Sequence, residues 1–158
     1  IGWRAFSPPP QKGDEDKLGF GKDRVLWALF VSSEDEGAAN KALQQGPFVN
    51  QMDWIHRTIK FVKQHPEIDL VIRVHPNIAG KRAAGQSLSQ LNAFKELSKN
   101  LPINVHIVYP DDSISSYTLM DRATIGMVYL SSVGLEMACK GKQVIVAANS
   151  MMIHPAFV

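Results

Sequence analysis

The sequence predicts a doubly wound α/β domain, Rossmann-like in the broad sense, with a mainly parallel sheet of about five strands. Two observations lead to this fold class. Five short apolar runs alternate with segments of helical periodicity along the chain. These runs are apolar over nearly their whole length, which is typical of strands buried on both faces of a parallel sheet. With 158 residues, of which 45% are hydrophobic, the chain is long enough for one domain with a sizeable core.

The first 24 residues differ in composition from the rest of the chain. They contain the stretch SPPPQKGDEDKLGFGKD, which is rich in proline, glycine and charge, and which predicts a linker over residues 1–24. The domain itself is predicted over residues 25–158. Because the chain begins without methionine and stops soon after an apolar run, we expect a domain cut at both ends from a larger protein.

The five apolar runs are predicted to be the strands of the sheet. In chain order they are RVLWALFV (24–31), LVIRV (70–74), NVHIVY (104–109), IGMVYL (125–130) and QVIVAA (143–148).

Helices are predicted between the strands. The first ends at Pro66, and its apolar stripe consists of Met52, Ile55, Ile59 and Val62. The second carries Leu88, Leu91, Phe94 and Leu97 in line. A short third helix follows the third strand, with Asp112 or Ser113 as its cap. The fourth begins at a cap formed by Ser131 or Ser132 and runs to Lys140, and Gly141 suits its end.

Composition excludes several classes of function. The formal charge is only +2 and the basic residues are scattered, so we expect no nucleic-acid partner. The one cysteine excludes disulfide scaffolds and cysteine-based zinc sites. No apolar run approaches the length of a membrane span. The phosphate-binding fingerprints of dinucleotide-binding folds and of P-loop proteins are missing, as is the G-x-S-x-G elbow of serine hydrolases. We expect no cofactor.

The helix that follows the fourth strand carries the first candidate site. A helix N-terminus presents unpaired N–H groups that suit a phosphate. Ser131 and Ser132 add hydroxyl donors there, Gly134 leaves room for close approach, and Glu136 lies one turn along, where a carboxylate can accept from ribose hydroxyls. The alternative is an ordinary capped helix, since serine and glutamate are common in first turns.

Further candidates lie at the ends of the first two strands, because ligands of parallel sheets bind beyond the carboxyl ends of strands. His75 precedes Pro76 at the end of the second strand and can donate to a phosphate oxygen. Arg73 is either a pocket cation or one half of an ion pair at the sheet edge. Ser33 follows the first strand. No second histidine or carboxylate stands at metal-ligand spacing from His75, so we expect no metal.

Three of these motifs occur in a fixed order. A strand ends in Ser-Ser-x-Asp-Glu, a second ends in Arg-x-His-Pro, and a third leads into Ser-Ser-x-Gly-Leu-Glu followed by Gly-Lys. In this order, over about residues 24–147, the chain resembles the C-terminal half of bacterial capsule polysaccharide biosynthesis proteins. Those proteins resemble GT-B glycosyltransferases, in which two Rossmann-like domains face a cleft.

This resemblance implies the half of a GT-B fold that binds the nucleotide-sugar donor. In related sialyl- and Kdo-transferases, a His-Pro and a Ser-Ser/Thr motif hold the nucleotide phosphate, which implies phosphate contacts for His75, Ser131 and Ser132 and a ribose contact for Glu136. The family usually has proline after Gly-Lys, where this chain has Gln143. The glycan acceptor, and often the catalytic base, belong to an N-terminal domain that is missing here, so the catalytic residues stay unassigned.

Three hypotheses for function follow. The first is the donor-binding domain of a cytoplasmic glycosyltransferase of capsule or surface polysaccharide synthesis, which uses a CMP- or UDP-linked sugar and whose full-length form associates with the inner face of the membrane. The second is a nucleotide-sugar 2-epimerase, which shares a similar Ser-x-Gly-x-x-Glu helix start. The third is a non-catalytic, flavodoxin-like binding module.

Overall fold

A computed structural model describes residues 7, 9–14, 16–21, 23–33, 46–79 and 85–149. Within these ranges the strands are β1 (Val25–Phe30), β2 (Ile68–Arg73), β3 (Val105–Val108), β4 (Ile125–Val128) and β5 (Gln143–Val146). The helices are α1 (Gln51–Lys63), α2 (Gly85–Leu97), α3 (Ser116–Arg122) and α4 (Val133–Cys139). Short 3-10 helices form at Asp16–Leu18, Pro76–Ala79 and Ser98–Asn100.

The strands form one sheet in the order β3-β2-β1-β4-β5, and every neighbouring pair is parallel. The central strand is β1, and β2 and β3 follow it toward one edge of the sheet. The chain then crosses back to β4, which pairs with the other side of β1, and β5 forms the opposite edge. The predicted doubly wound α/β fold is therefore confirmed. Because the direction of building reverses between β1 and β4, their carboxyl ends mark the topological switch point, where ligands of such sheets bind.

The sheet separates two apolar layers. Alternate residues of β1 supply both, since Leu29 belongs to the first layer and Ala28 and Phe30 to the second. The first layer packs against α1 and α2 and includes Ile55, Val62 and Phe94, all fully buried. The second packs against α3 and α4 and includes Leu119, Met120 and Met137. The apolar character of the strands thus results from burial on both faces.

Two local predictions are corrected by the structure. Leu88 was expected on the buried stripe of α2 but is 53% exposed. It lies six residues before Phe94, which places it about 120° around the helix axis from that buried ring. The cap of α3 is neither Asp112 nor Ser113. Ser115 takes this position, and its side chain accepts a hydrogen bond from Tyr117 N.

The described residues of segment 7–24 pack on the α3 side of the sheet. Leu18 is buried in the second apolar layer. The Asp14 carboxylate is fully buried and accepts hydrogen bonds from Ser115 N at 3.3 Å and from Thr118 Oγ1 at 3.2 Å. The segment is thereby attached to the start of α3, although the domain boundary at residue 24 stays a prediction.

The hydrogen bonds around Asp14 lower the pKa of its carboxyl. Burial by itself raises the pKa of this carboxyl, but hydrogen bonds from Gln11 N, Lys17 Nζ, Ser115 N and Thr118 Oγ1 together outweigh it and hold the pKa below its ordinary value. A depressed folded-state pKa stabilises the fold above the pKa of the unfolded chain, and this stabilisation is lost as the pH falls through the folded-state value.

We therefore expect the free energy of unfolding to decrease in acid below about pH 4, the ordinary range of an aspartate. Asp14→Asn should reduce this acid-dependent component, because the amide does not titrate. Urea denaturation between pH 7 and pH 3 measures it. Asp23→Asn, which removes an exposed carboxylate outside this network, serves as the control. Equal acid dependence in wild type and Asp14→Asn would contradict the assignment.

Candidate functional site

A pocket of about 110 Å³ opens at the switch point, on the α3 and α4 side of the sheet. Its apolar lining includes Phe30, Val31 and Met120. Five of the seven residues predicted from the sequence line it, namely Arg73, His75, Ser131, Ser132 and Glu136. The structure therefore brings the ends of β2 and β4 together around one cavity.

Arg73 is the buried cation of this pocket. It is the last residue of β2 and only 2% exposed. Its Nε donates to Ser116 Oγ at 3.2 Å and its Nη1 donates to the carbonyl of Tyr109. Its Nη2 is buried and has no hydrogen-bond partner among the described residues. The guanidinium thus has donor capacity that the described part of the protein does not use.

Burial disfavours the charged form of Arg73, whereas two nearby carboxylates favour it. Burial lowers the pKa of the guanidinium, and the charges of Asp112 and Asp111 counteract that effect. No carboxylate of the described residues forms an ion pair with Arg73. An ion pair at the sheet edge, one of the two alternatives for this residue, is therefore not observed, and the geometry is that of a pocket cation. Arginine stays protonated at any physiological pH, so the cation remains in place.

The two serines before α4 differ in their contacts. Ser131 Oγ accepts from Val133 N at 3.4 Å, a long hydrogen bond. Ser132 occupies the N-cap position, but its side chain makes no capping hydrogen bond. Helix capping therefore explains the position of Ser131 only through one long hydrogen bond. It does not explain Ser132, which lines the pocket and makes no capping hydrogen bond.

His75 and Glu136 both line the pocket and come from different elements. His75 lies two residues beyond the end of β2 and is half-buried. Its carbonyl accepts from Ile78 N within the 3-10 turn that Pro76 begins. This turn fixes the backbone that carries the imidazole. Glu136 is exposed and lies in the first turn of α4. Its carboxylate is thus accessible at the mouth of the pocket.

Ser33 and its neighbour Ser32 are buried but do not line the pocket. Gln51 of α1 holds this strand end with two hydrogen bonds, donating to the Ser32 carbonyl at 2.9 Å and accepting from Ser32 N at 2.8 Å. Gln90 donates to the same carbonyl at 3.1 Å. The structure therefore gives the end of β1 a structural anchor, and a binding role for Ser33 stays a prediction. The acidic residues that follow it lie outside the described residues.

Gly134 lies in α4 behind the pocket wall. A Cβ at this position would lie 2.8 Å from Val128 Cγ2 and 3.5 Å from Val144 Cγ1. The absence of a side chain lets α4 approach β4 and β5 closely. The structure thus gives Gly134 a role in helix–sheet packing, and a role in the close approach of a ligand stays a prediction.

Ser7 and Ser116 also line the pocket, and sequence reasoning did not identify them. Ser116 could have been found, because the crossover from β3 returns to the switch point and the following helix starts at the same edge. Ser7 carried no such signal. It reaches the site through a contact with Ser116 that spans 109 residues of sequence.

The described residues contain no group of three or more histidine, cysteine, aspartate or glutamate side chains that could hold a metal ion. Among the same residues, no helix has the length and apolar character needed to cross a membrane.

Known proteins were compared with the chain at three levels. No protein-family profile matches it, and no curated protein matches it at a significant level. Among solved structures, the beta Kdo 2,4 transferase of KpsC from Thermosulfurimonas dismutans is similar with a TM-score of 0.55 and 15% identity, over 96% of this chain and 41% of that one. The beta Kdo 2,7 transferase of the same KpsC has a TM-score of 0.52 and 18% identity, over 86% and 37%.

A third solved structure, UDP-GlcNAc 2-epimerase from Neisseria meningitidis bound to UDP-GlcNAc, has a TM-score of 0.50 and 17% identity, over 85% of this chain and 30% of the other. At these identities the likeness establishes a shared Rossmann-like fold. The chain spans less than half the length of each of these proteins.

The packing of α4 gives a stability prediction. We expect Gly134→Ala to destabilise the protein by about 1–3 kcal/mol, because the new methyl group overlaps a buried valine and α4 must shift. Chemical denaturation monitored by circular dichroism measures this. Cys139→Ala, an exposed position in the same helix, should change stability by less than about 0.5 kcal/mol. Equal stability of Gly134→Ala and wild type would show that the close approach is not required.

Proposed function

We propose that this chain is the nucleotide-sugar-binding domain of a glycosyltransferase that acts in capsule or surface-polysaccharide synthesis. The observation that carries the proposal is the pocket at the switch point, where Arg73, His75, Ser131 and Ser132 converge from two strand ends. The fold shared with two Kdo transferases of KpsC supports the same assignment.

In this proposal the pocket receives the phosphate of the donor. Hydroxyl groups of Ser131 and Ser132 and the imidazole of His75 are hydrogen-bond donors, and Arg73 adds a fixed positive charge. As the bond between sugar and phosphate breaks, negative charge grows on the departing phosphate. Donors held in place before the reaction stabilise that charge without having to reorganise. Their attachment to strand ends and to a short turn supplies this rigidity.

Glu136 is proposed to bind the ribose of the donor. It lies four residues beyond Ser132 on α4, which corresponds to about 6 Å along the helix axis. A phosphate near the serines and a ribose one turn away fit the length of a nucleoside phosphate, and an exposed carboxylate can accept from both ribose hydroxyls.

The acceptor and the base that activates it are proposed to belong to the remainder of a longer protein. The chain spans 41% and 37% of the two KpsC transferase chains, and no residue of the pocket is assigned as a base. We propose a cytoplasmic enzyme whose full-length form binds a glycan acceptor mainly through an N-terminal domain and associates with the inner face of the membrane. The donor is proposed to be CMP- or UDP-linked.

A nucleotide-sugar 2-epimerase is the second candidate, favoured by the fold shared with the epimerase from Neisseria meningitidis. An epimerase converts its nucleotide sugar without an acceptor, whereas a transferase releases nucleotide only as sugar is transferred. Incubation of the full-length protein with a UDP-linked amino sugar in the absence of acceptor, followed by NMR, separates the two activities. Formation of an epimer would establish the second candidate.

Calorimetric titration of the chain with CMP and UDP tests donor binding. We expect saturable binding of one of them, weakened about tenfold or more by His75→Ala or Ser132→Ala, because each removes a hydrogen bond to a charged phosphate. Ser98→Ala, an exposed hydroxyl outside the pocket, should bind as wild type does. If neither the chain nor its full-length parent binds a nucleotide, the non-catalytic module becomes the better hypothesis.

A second expectation concerns turnover. The 158-residue chain should bind nucleotide but transfer no sugar when supplied with donor and acceptor, because the acceptor-binding half is proposed to lie elsewhere. A radiolabelled transfer assay, run in parallel with the full-length protein, measures this. Transfer by the chain alone would place the base within it and contradict the division of roles.

A further inference from the structure

We propose that Ser7 and Ser116 together with Arg73 form an oxyanion subsite within the pocket, and that Ser7 is a specificity-determining residue supplied by the N-terminal segment. The inference deepens the proposed function and rests on it only for the identity of the whole ligand. The subsite itself is defined by contacts within the described residues.

Two hydrogen bonds link the three residues. Arg73 Nε donates to Ser116 Oγ at 3.2 Å. Ser116 N donates to Ser7 Oγ at 2.7 Å. Each hydroxyl oxygen thus already accepts a hydrogen bond, and no described residue accepts the proton of either hydroxyl. Each hydroxyl therefore keeps one O–H to donate, and Arg73 Nη2 adds its unpartnered N–H groups.

All three residues are at least nine-tenths buried. Arg73 is 2%, Ser7 8% and Ser116 9% exposed. Buried polar groups without partners are costly, and such groups in native proteins commonly mark the place of a bound water or ion. A buried cluster that offers several free donors, one of them cationic, matches an anion with several acceptor oxygens.

The other charges of the pocket agree with this assignment. Glu136 is the one carboxylate among the described lining residues, and it is exposed on α4. Asp112 is engaged elsewhere, since its Oδ2 accepts from Tyr109 N. No described acid therefore occupies the subsite, and the positive charge of Arg73 is left for a ligand.

Asp14 is the positioning residue for Ser7. It holds the segment to α3 through Ser115 N and Thr118 Oγ1, while Ser7 contacts the next backbone N–H of the same helix, that of Ser116. Two points of attachment, seven residues apart, fix the segment along the first turn of α3. The segment is therefore part of the binding site and not only a tether.

The oxyanion has two possible chemical sources, a phosphate group or a carboxylate carried by the sugar of the donor. Both present acceptor oxygens that match the three donors. Calorimetric titration of the chain with inorganic phosphate and, separately, with acetate distinguishes them, with sodium chloride used to hold the ionic strength constant. The anion that binds more tightly, and whose binding is weakened by loss of the serine hydroxyls, shows whether the subsite takes a phosphate or a carboxylate.

Ser7→Ala and Ser116→Ala should each raise the Kd of the preferred anion about tenfold, the effect of one hydrogen bond to a charged group. Ser7→Thr keeps the hydroxyl and should bind the anion as wild type does. A purely structural role of Ser7 does not predict that the anion affinity follows the hydroxyl. Ser98→Ala is the matched control. Circular dichroism verifies the fold of each variant, and Ser7→Ala tests the subsite even if Ser116→Ala does not fold.

The outcomes separate this subsite from the proposed function. Anion binding that depends on both serines, in a chain that binds neither CMP nor UDP, would support the subsite and count against the donor-binding role. Nucleotide and anion binding that is lost in Ser132→Ala but unchanged in Ser7→Ala and Ser116→Ala would overturn the subsite and leave the donor-binding role in place. Unchanged affinity for both anions in all serine variants would also overturn it.

Discussion

The parallel pairing of β1 with β4 is the contact on which the candidate site depends. These two strands are adjacent in the sheet although two strands, β2 and β3, and three helices, α1 to α3, lie between them in sequence. The helices α1 and α4 pack on opposite faces, in the first and second apolar layers. Chain segments that leave neighbouring strands in opposite directions open a crevice between the strand ends. Every polar group of the pocket is arranged around this gap.

Arg73 shows how such a site is maintained at a cost to stability. A guanidinium at the end of a buried strand loses its hydration, and burial lowers its pKa. Two of its nitrogens are compensated by Ser116 and the Tyr109 carbonyl, and the third is not. A residue selected for stability alone would not leave a buried donor without a partner. In the proposed oxyanion subsite, a ligand would supply the acceptor that Arg73 Nη2 lacks among the described residues.

The shared fold does not by itself select among enzymes. Two transferases and an epimerase have the same architecture at 15–18% identity, and function resides in the side chains placed on a fold. The discriminating features of this chain are local. They include a Ser132 hydroxyl without a capping role, a half-buried His75 after β2, and a Ser7 brought in by the segment that Asp14 anchors.

The sequence alone determined the sheet and the rim of the site, because apolar strands, helical stripes and residues that follow a strand are properties of neighbours in the chain. From that pattern Arg73, His75, Ser131, Ser132 and Glu136 could be expected at one edge. Only the tertiary structure decided which expected groups meet and which distant ones join them. Ser33 is buried beside the pocket and Gly134 serves packing, while Ser7 arrives from 109 residues away. Contacts between residues so far apart in sequence depend on how the helices pack on the sheet. The spacing of apolar residues along the chain does not specify that packing.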